Sequence, residues 1–244
     1  MNTQYDRAGW HEPAAGLRTI AGAMVAQIVA VVFTFLVLLY IVNAKSVDGI
    51  QGMAMIIAVG MYAAQIAMVV GIFKFGRQPS PGPGAGAAQV AGVLGIIGLI
   101  IASYALFIMV KLMGIGPDSD YEEIRSVMDS AQSLPKIEVA AAVLGFIAMM
   151  SMLSGISSTA RFLGREDLAG KATNAMVLVV IGAVIWSVIK LGAEPRTISS
   201  ALMFALMVMT LQIAILIQVQ RSANGVADAL MSGPTAPLPT ARQL

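Results

Sequence analysis

Cysteine is absent from this 244-residue chain, and histidine occurs once, at His11. The first absence removes disulfides, thiolate nucleophiles, iron–sulfur clusters and cysteine-bound zinc. The second removes haem held by two histidines of one chain and any multi-histidine metal centre. Charge is also scarce, at 11% of residues against roughly 25% in soluble domains. The net charge of +2 is too small to imply a nucleic-acid partner.

Hydrophobic residues make up 58% of the chain. They gather in six runs, at 20–42, 53–73, 90–110, 139–156, 172–189 and 201–219, with no Asp, Glu, Lys or Arg in the middle of any. Each run is about 18 to 23 residues, enough for a helix to cross a hydrocarbon core about 30 Å thick. The first is too long for the apolar core of a signal peptide, about 7–15 residues, and reads as a retained span. The fold class is therefore all-α: a polytopic integral membrane protein, a bundle of six transmembrane helices with one short amphipathic extramembrane helix. Residues 1–19 are expected as a cytoplasmic N-terminal segment, 20–219 as the transmembrane domain, and 220–244 as a Pro-containing cytoplasmic tail.

Loop charge sets the expected orientation. One side carries Arg7, Arg18, Lys74, Arg77, Arg161, Arg165, Lys171, Arg221 and Arg242; the other carries Lys45, Lys111, Arg125, Lys136, Lys190 and Arg196. Under the positive-inside rule this excess puts both termini in the cytoplasm, in a plasma (inner) membrane. The long outer loop, 111–138, holds the extramembrane helix. Pro117 precedes an acidic stretch suited to a helix N-terminus, and Tyr121, Ile124, Val127, Met128 and Ala131 recur on one face. That face predicts a helix that lies on the outer membrane surface, docks a partner or packs over the bundle. The second loop, with three prolines and four glycines between Gly76 and Gly86, reads as a flexible connector. Phe75-Gly76-Arg77 and Gly82 recur as Leu163-Gly164-Arg165 and Gly170, a faint hint of duplicated hairpins.

Uncharged polar groups are what the spans offer for chemistry. Six are singled out for helix contacts or a pathway: Gln27, Gln65, Tyr104, Ser151, Ser154 and Gln212. An amide in hydrocarbon needs a partner, so the three glutamines should face other helices or a hydrated cavity. The serines around Ser151 and Ser154 lack a nearby His or Lys base for a nucleophilic mechanism. Glu138, at the start of its span, reads as an interfacial residue. Small residues four apart (Gly22 and Ala26, Gly60 and Ala64, Ala91 and Gly95, Gly98 and Ala102, Ala141 and Gly145, Ser151 and Gly155) permit close helix crossings.

No cofactor motif is present; a bound lipid or apolar pigment would need none, because apolar contacts alone can hold it. Membrane lipids are the expected partners, with other membrane protein subunits or a homo-oligomer, and no nucleic acid. These features favour a non-catalytic subunit or scaffold of a larger membrane assembly. The alternative is a permease or channel component for an uncharged or lipid-like substrate. A stripe of polar groups converging on one cavity would favour the alternative; dispersed pairs bridging neighbouring helices would favour the scaffold.

Overall fold

The computed structural model describes residues 7–44, 50–79, 82–114, 120–190 and 198–233. They form α1 (Arg7–Ala44), α2 (Ile50–Gly76), α3 (Ala85–Gly114), α4 (Tyr121–Ala131), α5 (Leu134–Phe162), α6 (Glu166–Lys190) and α7 (Ile198–Ser232). Six of these helices are long and apolar enough to cross a membrane. The protein is a helical membrane bundle, and the exposed apolar faces of those helices meet lipid. Helix is the economical choice there, since it satisfies backbone donors and acceptors within one segment.

The six long helices close into a ring in the order α1, α2, α3, α5, α6, α7, with α7 returning to α1. Each is antiparallel to its neighbour in the ring. The beginnings of α1, α3 and α6 therefore share an end with the finishes of α2, α5 and α7, here termed the termini end. Cross-contacts fix this end: Trp10 of α1 lies 5.9 Å from Phe162 of α5 between ring centroids, and Arg18 of α1 pairs with Asp228 of α7 at 3.1 Å.

The core sits at the termini end. Leu17, Ile20, Ile72, Phe75, Leu153, Ile156, Leu163 and Leu230 are all at most 1% exposed. Toward the opposite end the helices present apolar side chains outward instead, as with Ile56, Ile100 and Met203, each at least 65% exposed within the protein. The bundle is solid at one end and open at the other.

Two helices run well beyond their expected spans. α1 begins at Arg7, thirteen residues before position 20, and α7 ends at Ser232, thirteen residues past position 219. Both extensions are amphipathic. Trp10, Ala14 and Leu17 are buried on one, and Ala223, Val226, Ala227 and Leu230 on the other, at the three- and four-residue steps that put side chains on one helix face. Gly233 then ends α7 with φ 89° and donates its N–H to the Ala229 carbonyl at 2.9 Å, an αL cap that glycine adopts at little cost. The Pro-containing segment 234–244 lies outside the described residues.

α4 forms as expected. It buries Val127 and packs against α3, while Tyr121 and Met128 of its apolar face stay exposed. Pro135 lies beyond this helix, in the first turn of α5, where the missing N–H has no intrahelical partner to lose.

The second loop requires a correction. Its described part is not a free connector. Gln78 donates through Nε2 to Thr159 Oγ1 on α5 at 3.2 Å, and its Oε1 accepts the Gly84 N–H at 3.2 Å. Thr159 in turn donates to the Gly155 carbonyl at 2.9 Å. One amide thus pins both halves of the loop to a neighbouring helix. Arg77 adds an ion pair to Glu12 of α1 at 2.6 Å. Both partners are well exposed, so Arg77→Gln should shift the thermal midpoint little, at a cost of about 0.2–1 kcal/mol. Thermal unfolding in detergent checks this.

The hint of duplicated hairpins weakens at its turns. Gly164 has φ 72°, with Gly164 N–H on the Arg161 carbonyl and Arg165 N–H on the Ala160 carbonyl, both at 2.9 Å. That is a Schellman closure. Gly76 ends α2 within helical geometry, and its loop is held by Gln78 instead.

Candidate functional site

Two cavities flank α5 where the packed end gives way to the open half. The first, about 170 Å³, lies between α1, α2, α3 and α5. Gln27 and Gln65 both line it, with Met68, Leu94, Ala148 and Met149 among their apolar neighbours. The second, about 530 Å³, lies between α5, α6 and α7, and Gln212, Trp186 and Ser187 supply its polar groups. Gly145 and Met149 of α5 border both cavities.

The three glutamines share a depth. Each lies nine residues from a basic residue at the termini end: Gln27 from Arg18, Gln65 from Lys74, Gln212 from Arg221. At 1.5 Å per residue that is about 13 Å along the helix, close to the middle of a core about 30 Å thick. Gln27 and Gln65 are half-buried and make no hydrogen bond to another described residue. No side-chain nitrogen or oxygen among the described residues is both sealed from solvent and unpaired, so these amides reach open space. In hydrocarbon they require water or a ligand as partner.

The other singled-out residues do not join them. Tyr104 is 49% exposed on the outer surface of α3 and lines neither cavity. Ser154 faces outward, and Ser151 is half-buried outside both cavities. An uncharged polar pair that does bridge two helices is Tyr62 with Ser103, at 2.6 Å between hydroxyls. In the serine-rich stretch of α5 the working group is Thr159, fully buried and bonded on both sides. Its signal in the sequence was position alone: it lies one turn past Gly155.

Of the small-residue pairs, two make close crossings. Gly95 faces Val69 of α2, and Gly155 faces the Gly84 carbonyl at 3.0 Å from where a Cβ would stand. Gly22, Gly60, Gly98 and Gly145 have open space there. A tighter backbone approach than either, Gly16 of α1 against Phe75 and Gly71 of α2, involves a glycine in none of the predicted pairs.

Among the described residues no three His, Asp or Glu side chains gather at one place. The cavities hold amide, indole and hydroxyl groups but no ionisable side chain. Such walls bind neutral molecules or water by hydrogen bonds and apolar contact. Replacing both cavity-one amides, as Gln27→Leu with Gln65→Leu, should dry that cavity. A single cysteine placed at Ala148 reports the change, since the native chain has no cysteine. Thiol modification runs through the thiolate, which needs water, so its rate should fall at least about tenfold.

No family model matches the chain, and no curated protein or solved structure matches it either.

Proposed function

We propose that the protein is a non-catalytic, multi-pass subunit or scaffold of a larger membrane assembly, lying in the plasma (inner) membrane with both termini cytoplasmic. The observation that carries this reading is the uneven packing of the ring. The termini end is a self-sufficient core, whereas the opposite half leaves large apolar faces on every long helix. The α3 and α7 spans bury the least, 6% and 11% of their most apolar windows. Such faces suit partner helices, with lipid as the default cover. The Tyr62–Ser103 pair, which bridges α2 and α3, also fits a scaffold.

The direct test is purification of the native protein in mild detergent, with native mass determination and identification of what accompanies it. A stoichiometric set of other membrane proteins is the expected result. A monomer or a homo-oligomer purified alone would overturn the subunit reading. Orientation is tested separately with an impermeant thiol reagent: a cysteine at Arg165 should label only from the cytoplasmic side, and one at Ser126 only from the other.

One observation favours the second reading, a permease or channel component for an uncharged or lipid-like substrate: Gln27 and Gln65 converge on one cavity. Against it stands the seal below. Leu17, Ile20, Ile72, Phe75, Met152 and Leu153, all at most 1% exposed, leave no continuation toward the termini end. A pathway would have to open that layer. Flux of neutral solutes through proteoliposomes, lost in Gln65→Leu, would revive this reading.

A further inference from the structure

The larger cavity exists because small residues of α5 and α6 face each other across it. Ala142 and Gly145 on α5 and Ala183 on α6 line it, and a Cβ at Gly145 would meet nothing within 4 Å, whereas Gly182 packs beneath Ile215 of α7. Its 530 Å³ falls within the range of small-molecule sites, about 300–1,000 Å³. The walls are chiefly apolar, with Phe146, Met149, Val179 and Ile215 prominent. Gln212 is the conspicuous exception. Its exposed side chain lines this space, which is open to the surroundings of the bundle, and has no hydrogen bond to any other described residue.

We infer that this cavity is a binding site for one neutral lipid-like molecule, with an apolar body against Phe146, Met149, Val179 and Ile215 and a hydroxyl or carbonyl group on Gln212. Three considerations fix the chemical class. A charged ligand would find no ionic partner among the lining residues, and an unpaired charge near the bilayer centre is costly. A small polar solute would leave most of the apolar wall uncovered. A phospholipid tail covers the wall but brings no hydrogen-bonding group to this depth. Gln212 lies nine residues in from Arg221, about 13 Å along the helix, whereas ester groups sit at the interface. A long-chain alcohol or a ketone-bearing lipid meets both demands at once. This inference concerns the cavity alone and does not depend on the assembly reading.

The chain carries its own reporter. Of its two tryptophans, Trp186 lines the cavity, while Trp10 is buried in the core of the termini end beside Phe162. With the full chain in phosphatidylcholine vesicles, a dibrominated long-chain alcohol should quench Trp186 fluorescence saturably, with one molecule bound per chain. Dibrominated phosphatidylcholine at equal mole fraction should give only quenching that rises in proportion to its content. The Trp10→Phe variant isolates the signal. Should that variant fail to fold, Trp186→Phe in the native background must abolish the saturable component.

Gln212→Leu should raise the half-quenching concentration about three- to tenfold, the loss of one hydrogen bond. Gly145→Leu should remove saturation by filling the space, and its Cβ meets nothing within 4 Å. Two results would overturn the inference. One is quenching by the alcohol that never saturates and matches the phospholipid, which means an ordinary lipid annulus. The other is a midpoint indifferent to Gln212→Leu, which means that water satisfies the amide.

Discussion

Gly16→Leu should yield no folded protein in a detergent extract, and Gly16→Ala should fold with a clearly lowered thermal midpoint. The reason is backbone on backbone. A Cβ at Gly16 would stand 2.5 Å from the Phe75 nitrogen and 2.6 Å from the Gly71 carbonyl oxygen. Neither atom can rotate away as a side-chain tip can. The reciprocal position is also too close, since a Cβ at Gly71 would stand 2.8 Å from the Gly16 carbonyl oxygen. Relief requires α1 and α2 to separate, which opens the layer of Leu17, Ile20, Ile72 and Phe75. Overpacking of this kind costs about 1–3 kcal/mol for a single methyl, and a leucine adds three more carbons to the same gap. Gly22→Ala is the matched control on the same helix, because its Cβ meets nothing within 4 Å. It should be neutral or gain up to about 1 kcal/mol from helix propensity. Equal loss in both variants would show that α1 tolerates no change, and would remove the crossing as the cause.

That contrast shows what the sequence could and could not disclose. All six spans were legible, because length and hydropathy are properties of one segment and need no neighbour. Gly22 with Ala26 was legible as a small-residue face, yet both residues are exposed and a Cβ at Gly22 would meet nothing within 4 Å. Spacing tells which residues share a face but not which face meets another helix. The extensions of α1 and α7 were hidden for a different reason. Trp10, Ala14 and Leu17 are interleaved with His11, Glu12 and Arg18, so a search for long apolar runs stops short of them. Their helical periodicity was present and carried the answer.

The glutamines divide in the same way. Chemistry alone required Gln27, Gln65 and Gln212 to find polar company, and each lines a cavity. That the first two share one cavity and the third faces another depends on ring order, which no local pattern encodes. Their common distance from Arg18, Lys74 and Arg221 was readable and is the signal that could have found the layer. Tyr104 and Ser154 were chosen by residue type within a span, and type does not fix which way a side chain points.

The loop between α2 and α3 gives the second large effect. Gly84→Ala should lower stability by about 1–3 kcal/mol, whereas Gly86→Ala, with nothing within 4 Å of its Cβ, should not. A Cβ at Gly84 would collide with Thr159 Oγ1, stand 2.5 Å from the Gly155 carbonyl oxygen and 2.8 Å from Gln78 Nε2. The collision thus falls on the three groups that hold the loop to α5. Gln78→Ala alone should cost about 0.5–1.5 kcal/mol for its hydrogen bonds. Once Gly84→Ala has lifted the loop, those bonds are already broken, so the double variant should lose little more than Gly84→Ala by itself. Additive losses would mean that Gln78 and Gly84 act independently. The same lift has a consequence for the bundle. Phe75 ends the sealed layer and lies beside Gly155, at 3.4 Å from where its Cβ would stand, so loosening the loop loosens the floor of the first cavity. A cysteine at Ala148 should then react faster with a reagent added on the termini side in the Gly84→Ala background. Unchanged reactivity alongside lowered stability would show that the loop braces α5 without closing the cavity.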